Sequence, residues 1–399
     1  MSTPTAVPTF TPTQNPPPRP TRTPTLPPTP TGTRVVAEEV YYDSTTQVAK
    51  RATTEANHKA TVAVQLQKLL PSSSKPQTSP RPVPTISYTR NSRLVLAHYF
   101  AWYDGNGWDN CNISAGDKPL EPYHSDDPAV MARHVQLALD SGLNGFTVHW
   151  FAPGDRTDRN FSTLLDKSAG YKFTSSVVFS HHFWHGSPPP SRQDIRDALR
   201  YILDQYGSHP NFLRLEDKPV IFFIDVYRVP TAAGETPQQF WASLREQIDP
   251  QRKTWWIAEG LEASYLSVFD GLYVFKVSHA TSLHDYEKSP RWGAKVRAWE
   301  AQTGQSKLWL ATISPGWNDL RSTCKPDVRV ANTPHRLERA NGAVYEASLQ
   351  AALKSDPDWL ILSSFNEWVE GSYIEPSLQY GDKYLRMTKD FTQRFEQNQ

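Results

Sequence analysis

The sequence predicts an α/β fold, a (β/α)8 TIM barrel, preceded by a disordered Pro/Thr-rich N-terminal segment. Three observations predict it. Eight short, nearly continuous apolar runs recur after residue 90, the pattern of strands buried on both faces. Helical patterns or helix-length connections separate them. Residues 90–399 also give the length that one such barrel needs. A doubly wound open sheet is the alternative. The eight regular units and the lack of a Gly-rich phosphate loop weigh against it.

The first 89 residues cannot supply a core. The chain carries 34 prolines, unevenly placed, and residues 1–33 are mostly Pro and Thr with almost no apolar side chains. Such a stretch is extended and disordered. It reads as a stalk holding a domain off a cell surface, with a dispensable tail as the other reading. Residues 34–89 form a polar segment, at most a marginal helix, and then a Pro/Ser linker. The folded domain is expected over 90–399.

The strands follow in order: "LVLAHYFAW" (94–102), "GFTVHWF" (145–151), "FTSSVVFS" (173–180), "PVIFFIDV" (219–226), "TWWIAE" (254–259), "GLYVFKVS" (271–278), "KLWLATIS" (307–314) and "WLILSSF" (359–365). Between them, "DPAVMARHVQLALDSG" has Asp127 as N-cap, Pro128 at the first helical position and Gly142 as a stop. "SRQDIRDALRYILDQYG" offers Ser191 as cap, Asp194 three residues on, and Ile195, Leu199, Ile202 and Leu203 at helical spacing. "TPQQFWASLREQI" repeats the Thr-Pro start, and "GAVYEASLQAALKSD" precedes the last strand.

Composition excludes several classes. The formal net charge is +1 with both signs mixed along the chain, so nothing argues for nucleic acid or an anionic membrane. No apolar run approaches the roughly 18 residues of a spanning helix, so no membrane insertion is expected. No export signal is recognisable; one removed from ahead of the Pro/Thr stretch is expected, giving an extracellular or surface-tethered location. The two cysteines are too few for a disulfide scaffold or a zinc site. "NIS" at Asn112 and "NFS" at Asn160 are glycosylation sequons, which matter only in a eukaryotic secretory route.

In a barrel the working face is the C-terminal end of the strands. Here those ends read "HYFAWYDGNGW", "HWFAPG", "SHHFWHG", "DVYR", Glu259, "SPGWND" and "FNEWVEG". An aromatic-lined cleft with a few carboxylates suits a sugar, whose C–H faces stack on rings while its hydroxyls bond to polar side chains. Trp102, Tyr103, Trp150 and Trp317 are the aromatic candidates. His181, His182 and His185 suit sugar hydrogen bonding or packing better than a metal, because the HExxH spacing is missing.

The final strand ends in "SSFNEWVEGSYIEPS", which carries Glu367, Glu370 and Glu375. On a turn of helix, residues three apart lie about 5–6 Å apart at Cβ. That fits a retaining glycosidase pair. Crowding raises one pKa and leaves one carboxyl as acid and the other as base. The structural alternative is a pair bonding backbone N–H groups at the barrel rim.

These residues resemble glycoside hydrolase family 99, the endo-α-mannosidases and endo-α-mannanases, and related family-99-like bacterial proteins. "SFNEWVEGSYIEPS" is similar to the family's final-strand motif. "ISPGWND" and "RLERANGAVYEASLQAALKSDPDWLILSSFNEW" resemble the region before it, while "HYFAWY", "VHWF" and "IDVY" look like its first, second and fourth strand motifs. The resemblance spans roughly residues 94–390. It implies a (β/α)8 fold and retaining, endo-acting, metal-free hydrolysis of α-linked glycans, α-mannosidic bonds foremost, with no cofactor; a monomer acting on a polysaccharide or glycan is expected. It implies that Glu367 deprotonates the sugar 2-hydroxyl to give a 1,2-anhydro sugar and that Glu370 is the general acid/base. Tyr99, Trp150, Asp225, Tyr227 and Asn366 would be substrate contacts, joined by Trp102, Tyr103, His182, Glu259, Tyr273 and Trp317 from the strand ends. Val369 stands where the family usually has His. The third strand ends in "SHHFW" in place of a Glu-Pro-Tyr-like motif, and Phe275 replaces one of a tyrosine pair. These departures concern sugar recognition more than the acid/base pair. The competing readings are a carbohydrate-binding pseudoenzyme, a retaining glycosidase for another sugar by double displacement, and a metal-dependent polysaccharide deacetylase or hydrolase using the histidines.

Cys111 and Cys324 lie on loops beyond strands one and seven, which only strand eight separates round a closed barrel. An extracellular chain meets an oxidising compartment, so a disulfide between them is expected, with two free thiols as the alternative. Thiol labelling under denaturing, non-reducing conditions should modify neither cysteine of oxidised protein; two labelled cysteines would refute the bridge.

Overall fold

The computed structural model describes residues 84–105, 108, 117–181, 190–277, 288–319 and 336–397. The N-terminal segment over 1–83, the Cys111–Cys324 pairing, the Asn112 sequon, and His182 and His185 lie outside the described residues.

Eight parallel strands close into a barrel: β1 Val95–Tyr99, β2 Gly145–Trp150, β3 Thr174–Phe179, β4 Lys218–Phe223, β5 Trp255–Glu259, β6 Gly271–Tyr273, β7 Leu308–Ile313 and β8 Trp359–Leu362. Each pairs with its sequence neighbours, and β8 pairs with β1 through Val95↔Leu360 to Ala97↔Leu362. The ring is complete between β3 and β4 as well, where Val178 faces Phe222 and Phe179 faces Phe223. Closure leaves no edge to protect, which suits strands this apolar. The helices are α1 Pro128–Asp140, α2 Arg156–Lys167, α3 Arg192–Tyr206, α4 Pro237–Ile248, α5 Lys288–Thr303, α6 Ala343–Leu353 and α7 Lys383–Gln397.

The caps form as the sequence predicts. Asp127 accepts from the Ala129 N–H at 2.8 Å. Ser191 with Asp194, and Thr236 with Gln239, close reciprocal capping boxes. Gly142 follows the C-cap of α1 at φ +79°, and a Cβ there would meet Thr392 Oγ1 at 2.2 Å. Two expectations shift. The sixth strand is three residues long rather than eight. Backbone pairing begins before residue 90, because Ile86 N–H bonds to Pro210 O at 3.1 Å and Tyr88 N–H to Arg214 O at 3.0 Å. Asn160 is also unsuited to glycosylation: it is buried on α2, and its amide bonds to Ala101 O at 2.8 Å.

Alternation along each strand sorts side chains into two cores. Leu96, Val178, Val220, Phe222, Ile257, Tyr273, Leu308, Leu310, Trp359 and Ile361 fill the barrel interior. Ala97, Tyr99, Phe146, Val148, Trp150, Val177, Phe179, Ile221, Phe223, Trp256, Ala258, Trp309, Ala311, Leu360 and Leu362 face the helices. The period of two therefore decides which residues at the strand ends can reach the mouth.

Arg245 on α4, 1% exposed, is the most deeply buried cation among the described residues. It donates to Asp270 Oδ2 at 2.7 Å, to Thr254 O at 2.9 Å and to Val268 O, so one guanidinium ties α4 to the β5–β6 connection. Arg245→Met should lower unfolding stability by about 3–5 kcal/mol, because it leaves Asp270 without its cation, with the Trp256 N–H as its remaining donor, and takes the side-chain donor from two carbonyls. Chemical denaturation would measure it.

Candidate active site

The loop after β8 carries the two carboxyl groups. It doubles back on itself: Ser364 N–H bonds to Ser372 O at 2.8 Å, Ile374 N–H to Phe365 O at 3.0 Å and Glu375 N–H to Phe365 O at 2.9 Å. Arg339 braces the outer turn, donating to Gly371 O at 3.0 Å and Tyr373 O at 2.8 Å. Between these ties lie Glu367, buried to 3% exposure, and Glu370, partly buried.

The two carboxyls have different surroundings. Glu367 Oε1 accepts from the Tyr103 hydroxyl at 3.2 Å and from the Val369 N–H at 3.1 Å. Burial pushes its pKa up from 4.5 to about 8, and these donors pull against that rise. Glu370 Oε2 is buried without a hydrogen-bond partner among the described residues. Burial raises the Glu370 pKa well above its ordinary value, and the neighbouring Glu367 raises it further. Lys276, just past β6, opposes that rise; its ammonium lies 3.6 Å from Asp319 Oδ2 and 3.8 Å from the centre of the Trp317 ring. The member with donors is the one that ionises first. The member without them keeps its proton.

A second acidic group lies at the ends of β4 and β5. Burial and the Asp225 charge push Glu259 up to about 7. Tyr273 lies within the field of both, and its buried hydroxyl has no hydrogen-bond partner among the described residues. An aromatic wall joins the two acidic groups. His98 lies 5.0 Å from Phe275 and 5.6 Å from Tyr273 between ring centres, Phe100 stacks on His149 at 4.4 Å, and Trp102 stacks on Phe151 at 5.3 Å.

The structure thus gathers Trp102, Tyr103, Asp225, Glu259, Tyr273, Glu367 and Glu370 at one end of the barrel. Tyr227 lies beyond the end of β4, 56% exposed, with its hydroxyl accepting from Arg228 Nε–H at 3.0 Å. Trp317 lies nearby but is only 1% exposed, with Lys276 against its ring. Three expected substrate contacts are corrected. Tyr99 faces the helices, stacked on Phe146 at 4.6 Å with its hydroxyl 2.9 Å from His134 Nδ1. Trp150 also faces outward, donating to Asp158 Oδ1 at 2.9 Å. Asn366 is fully buried; it accepts from Phe100 N–H at 2.8 Å and donates to Phe100 O at 2.9 Å, which splices the loop to the end of β1. The first two expectations fail through strand parity. Their neighbours His98 and His149 hold the inward positions, and alternation along "VLAHY" and "GFTVHW" was the signal that could have found them. Lys276 gave no sequence signal and Asp319 only its place in "SPGWND", because only the barrel brings β6 and β7 beside the final loop.

Barrel and site together define a class: a (β/α)8 protein with a paired carboxyl centre at the C-terminal ends of its strands. The chain belongs to Glycosyl hydrolase family 99, whose sequence profile matches residues 96–393. It is 28% identical over 283 residues to the rat glycoprotein endo-alpha-1,2-mannosidase, covering 65% of this chain and 56% of that protein. It is also 28% identical over 318 residues to a mouse glycoprotein endo-alpha-1,2-mannosidase-like protein, covering 69% of this chain and 64% of that one. The chain therefore spans less than two thirds of the length of these relatives. The GH99 endo-alpha-mannosidase from Bacteroides thetaiotaomicron shares the fold, with a TM-score of 0.61 and 24% identity over 76% of this chain and 97% of that one.

The two raised carboxyl pKa values make stability depend on pH. The unfolded chain releases these protons near 4.5, while the native site holds the Glu367 proton to about 8 and raises Glu370 well above its ordinary value, so the native state binds more protons in between. Their contribution to stability is fully present below pH 4.5 and is lost as pH rises through about 8. Glu370→Gln should therefore melt above the parent at pH 8, by about 2–5 °C, with the difference closing below pH 5. Differential scanning fluorimetry across pH would show it.

Proposed function

We propose that this protein is a retaining, endo-acting glycoside hydrolase that cleaves α-mannosidic bonds within glycans. The observation that carries this reading is the Glu367/Glu370 pair, with Glu367 held by two donors and Glu370 Oε2 buried without a partner among the described residues, in a chain of family 99. The names of the relatives as endo-alpha-1,2-mannosidases support the choice of sugar. An extracellular or surface-tethered location and a monomeric state complete the reading; among the described residues no helix is long and apolar enough to cross a membrane.

The proposed chemistry assigns one carboxyl to each oxygen. Glu367 takes the proton of the substrate 2-hydroxyl, and O2 closes onto C1 as a 1,2-anhydro sugar. The glycosidic C1–O bond breaks as Glu370 gives its proton to the leaving oxygen. Water then attacks C1, Glu370 takes its proton, and O2 recovers its own from Glu367. Two inversions at C1 give net retention. Tyr103 holds Glu367 by hydrogen bonding, as its 3.2 Å contact supports. Lys276 steadies the Glu370 carboxylate once its proton has left. Asp225, Glu259 and Tyr273 are proposed to bond sugar hydroxyls. Trp102, Tyr227 and Trp317, together with His182 outside the described residues, are proposed to complete the cleft.

Purified protein incubated with defined α-mannans should release oligosaccharides, with α-anomeric product appearing first by NMR. Glu370→Gln should lose about 10²–10⁴-fold in rate on a natural polysaccharide and be partly rescued by an activated aryl leaving group. A substrate lacking the 2-hydroxyl should be inert. A covalent 2-fluoroglycosyl adduct on Glu367 would replace this route with double displacement, and tight binding without any product would favour the pseudoenzyme.

A further inference from the structure

The third glutamate of the final loop lies outside the chemistry above, yet it is 4% exposed, with two hydrogen bonds on one oxygen and a histidine ring nitrogen against the other. Glu375 Oε2 accepts from the Trp368 indole N–H at 2.9 Å and from the Tyr123 hydroxyl at 3.0 Å. Oε1 lies 3.0 Å from His134 Nε2 on α1. The other ring nitrogen of His134, Nδ1, lies 2.9 Å from the Tyr99 hydroxyl, so Nε2 is the nitrogen that faces Glu375. One buried anion thus joins β1, the segment before α1, α1 itself and the loop.

The indole it holds sits between the two carboxyl-bearing residues in the chain. The Trp368 ring stacks on Tyr373 at 3.9 Å and meets Trp108 edge-on at 5.7 Å. The Trp368 backbone N–H bonds to the Tyr103 hydroxyl at 2.9 Å, the same hydroxyl that donates to Glu367. Tyr123 also accepts from Asn366 Nδ2 at 3.2 Å, next to Glu367 in sequence. Any shift of Glu375 is passed to Glu367 by two routes, through Trp368 and Tyr103 and through Tyr123 and Asn366.

We propose that Glu375 is a positioning residue: its carboxylate, shared by His134, Tyr123 and Trp368, holds the loop that aims Glu367 and Glu370. The catalytic part of this proposal rests on the glycosidase reading above; the loop-holding part does not. Two donors and the His134 ring converge on Glu375, so an amide cannot replace the carboxylate without a change in its partners. In Glu375→Gln, the new NH2 group either faces the Trp368 and Tyr123 donors or faces His134 Nε2, which must then accept and reverse the Tyr99 bond.

The test uses Glu375→Gln, Trp368→Phe, which removes the indole donor, and Glu346→Gln, a remote control whose carboxylate pairs with Arg394 on the outer helices. Loss of aim should lower kcat by about 10–100-fold, with KM within about threefold of the parent. An aryl leaving group should not rescue it, in contrast to Glu370→Gln, because Glu367 is misplaced too. The control should keep the parent kcat. Melting between pH 5 and pH 8 gives a readout that needs no substrate. A loosened loop lets the two carboxyls reach water and return towards ordinary pKa values, so the fall in Tm with pH should flatten in both variants. A uniform drop in Tm with the parent pH slope, in whichever of the two variants folds, would overturn the proposal and reduce Glu375 to packing. If the parent turns over no glycoside, the glycosidase reading fails, and the pH slope alone decides the role of Glu375.

Discussion

The structure is organised around the cost of keeping two carboxyl groups out of water on one short loop. Carboxylates three residues apart repel, and burial penalises each charge separately. Their neighbours reflect both penalties. Tyr103 and the Val369 N–H accommodate a charge on Glu367, while Lys276 lies within the field of Glu370. Two carboxyls therefore sit in one site with unequal tendencies to lose a proton. That inequality is what an acid working beside a base requires.

Holding such a loop still is a structural problem in itself. The loop has no regular secondary structure, so its backbone groups find partners one at a time: Ser372, Phe365 and the guanidinium of Arg339. Arg339 in turn lies over the rings of Tyr373, Tyr380 and Tyr384 at 4.3–4.5 Å, which ties the loop to α7. Asn366 and Glu375 reach the other way, to β1 and α1. The loop is thus fixed from both flanks of β8. Its polar residues divide between those that face the mouth and those that hold the loop in place.

The fold was largely legible because it rests on local rules. Caps at Asp127, Ser191 and Thr236 depend on a few neighbouring residues, and all three form. Eight buried parallel strands give continuous apolar runs, and all eight are present. Strand length was less legible. "GLYVFKVS" is apolar throughout, yet only Gly271–Tyr273 pairs, because apolar character does not say where the ladder with the neighbouring strands stops. Tyr99 and Trp150 are a different case: the period of two along their strands gives the inward positions to their histidine neighbours, His98 and His149.

By itself, the sequence determined the barrel, its helix starts, and the presence of two glutamates three residues apart after the last strand. Each of these is a matter of short-range spacing. The tertiary structure alone decided which residues share the mouth with them. His98, His149, Lys276 and Asp319 come from β1, β2 and the segments after β6 and β7, and only closure of the barrel brings those elements to the final loop. It also decided that the three glutamates of one motif differ in kind: Glu367 hydrogen-bonded, Glu370 with its Oε2 lacking a partner among the described residues, and Glu375 turned away to His134. The physical reason is that the ionisation of a carboxyl group depends on its burial and on the donors and charges around it. Here those donors and charges come from Tyr103, Lys276 and His134, residues far from the motif in sequence.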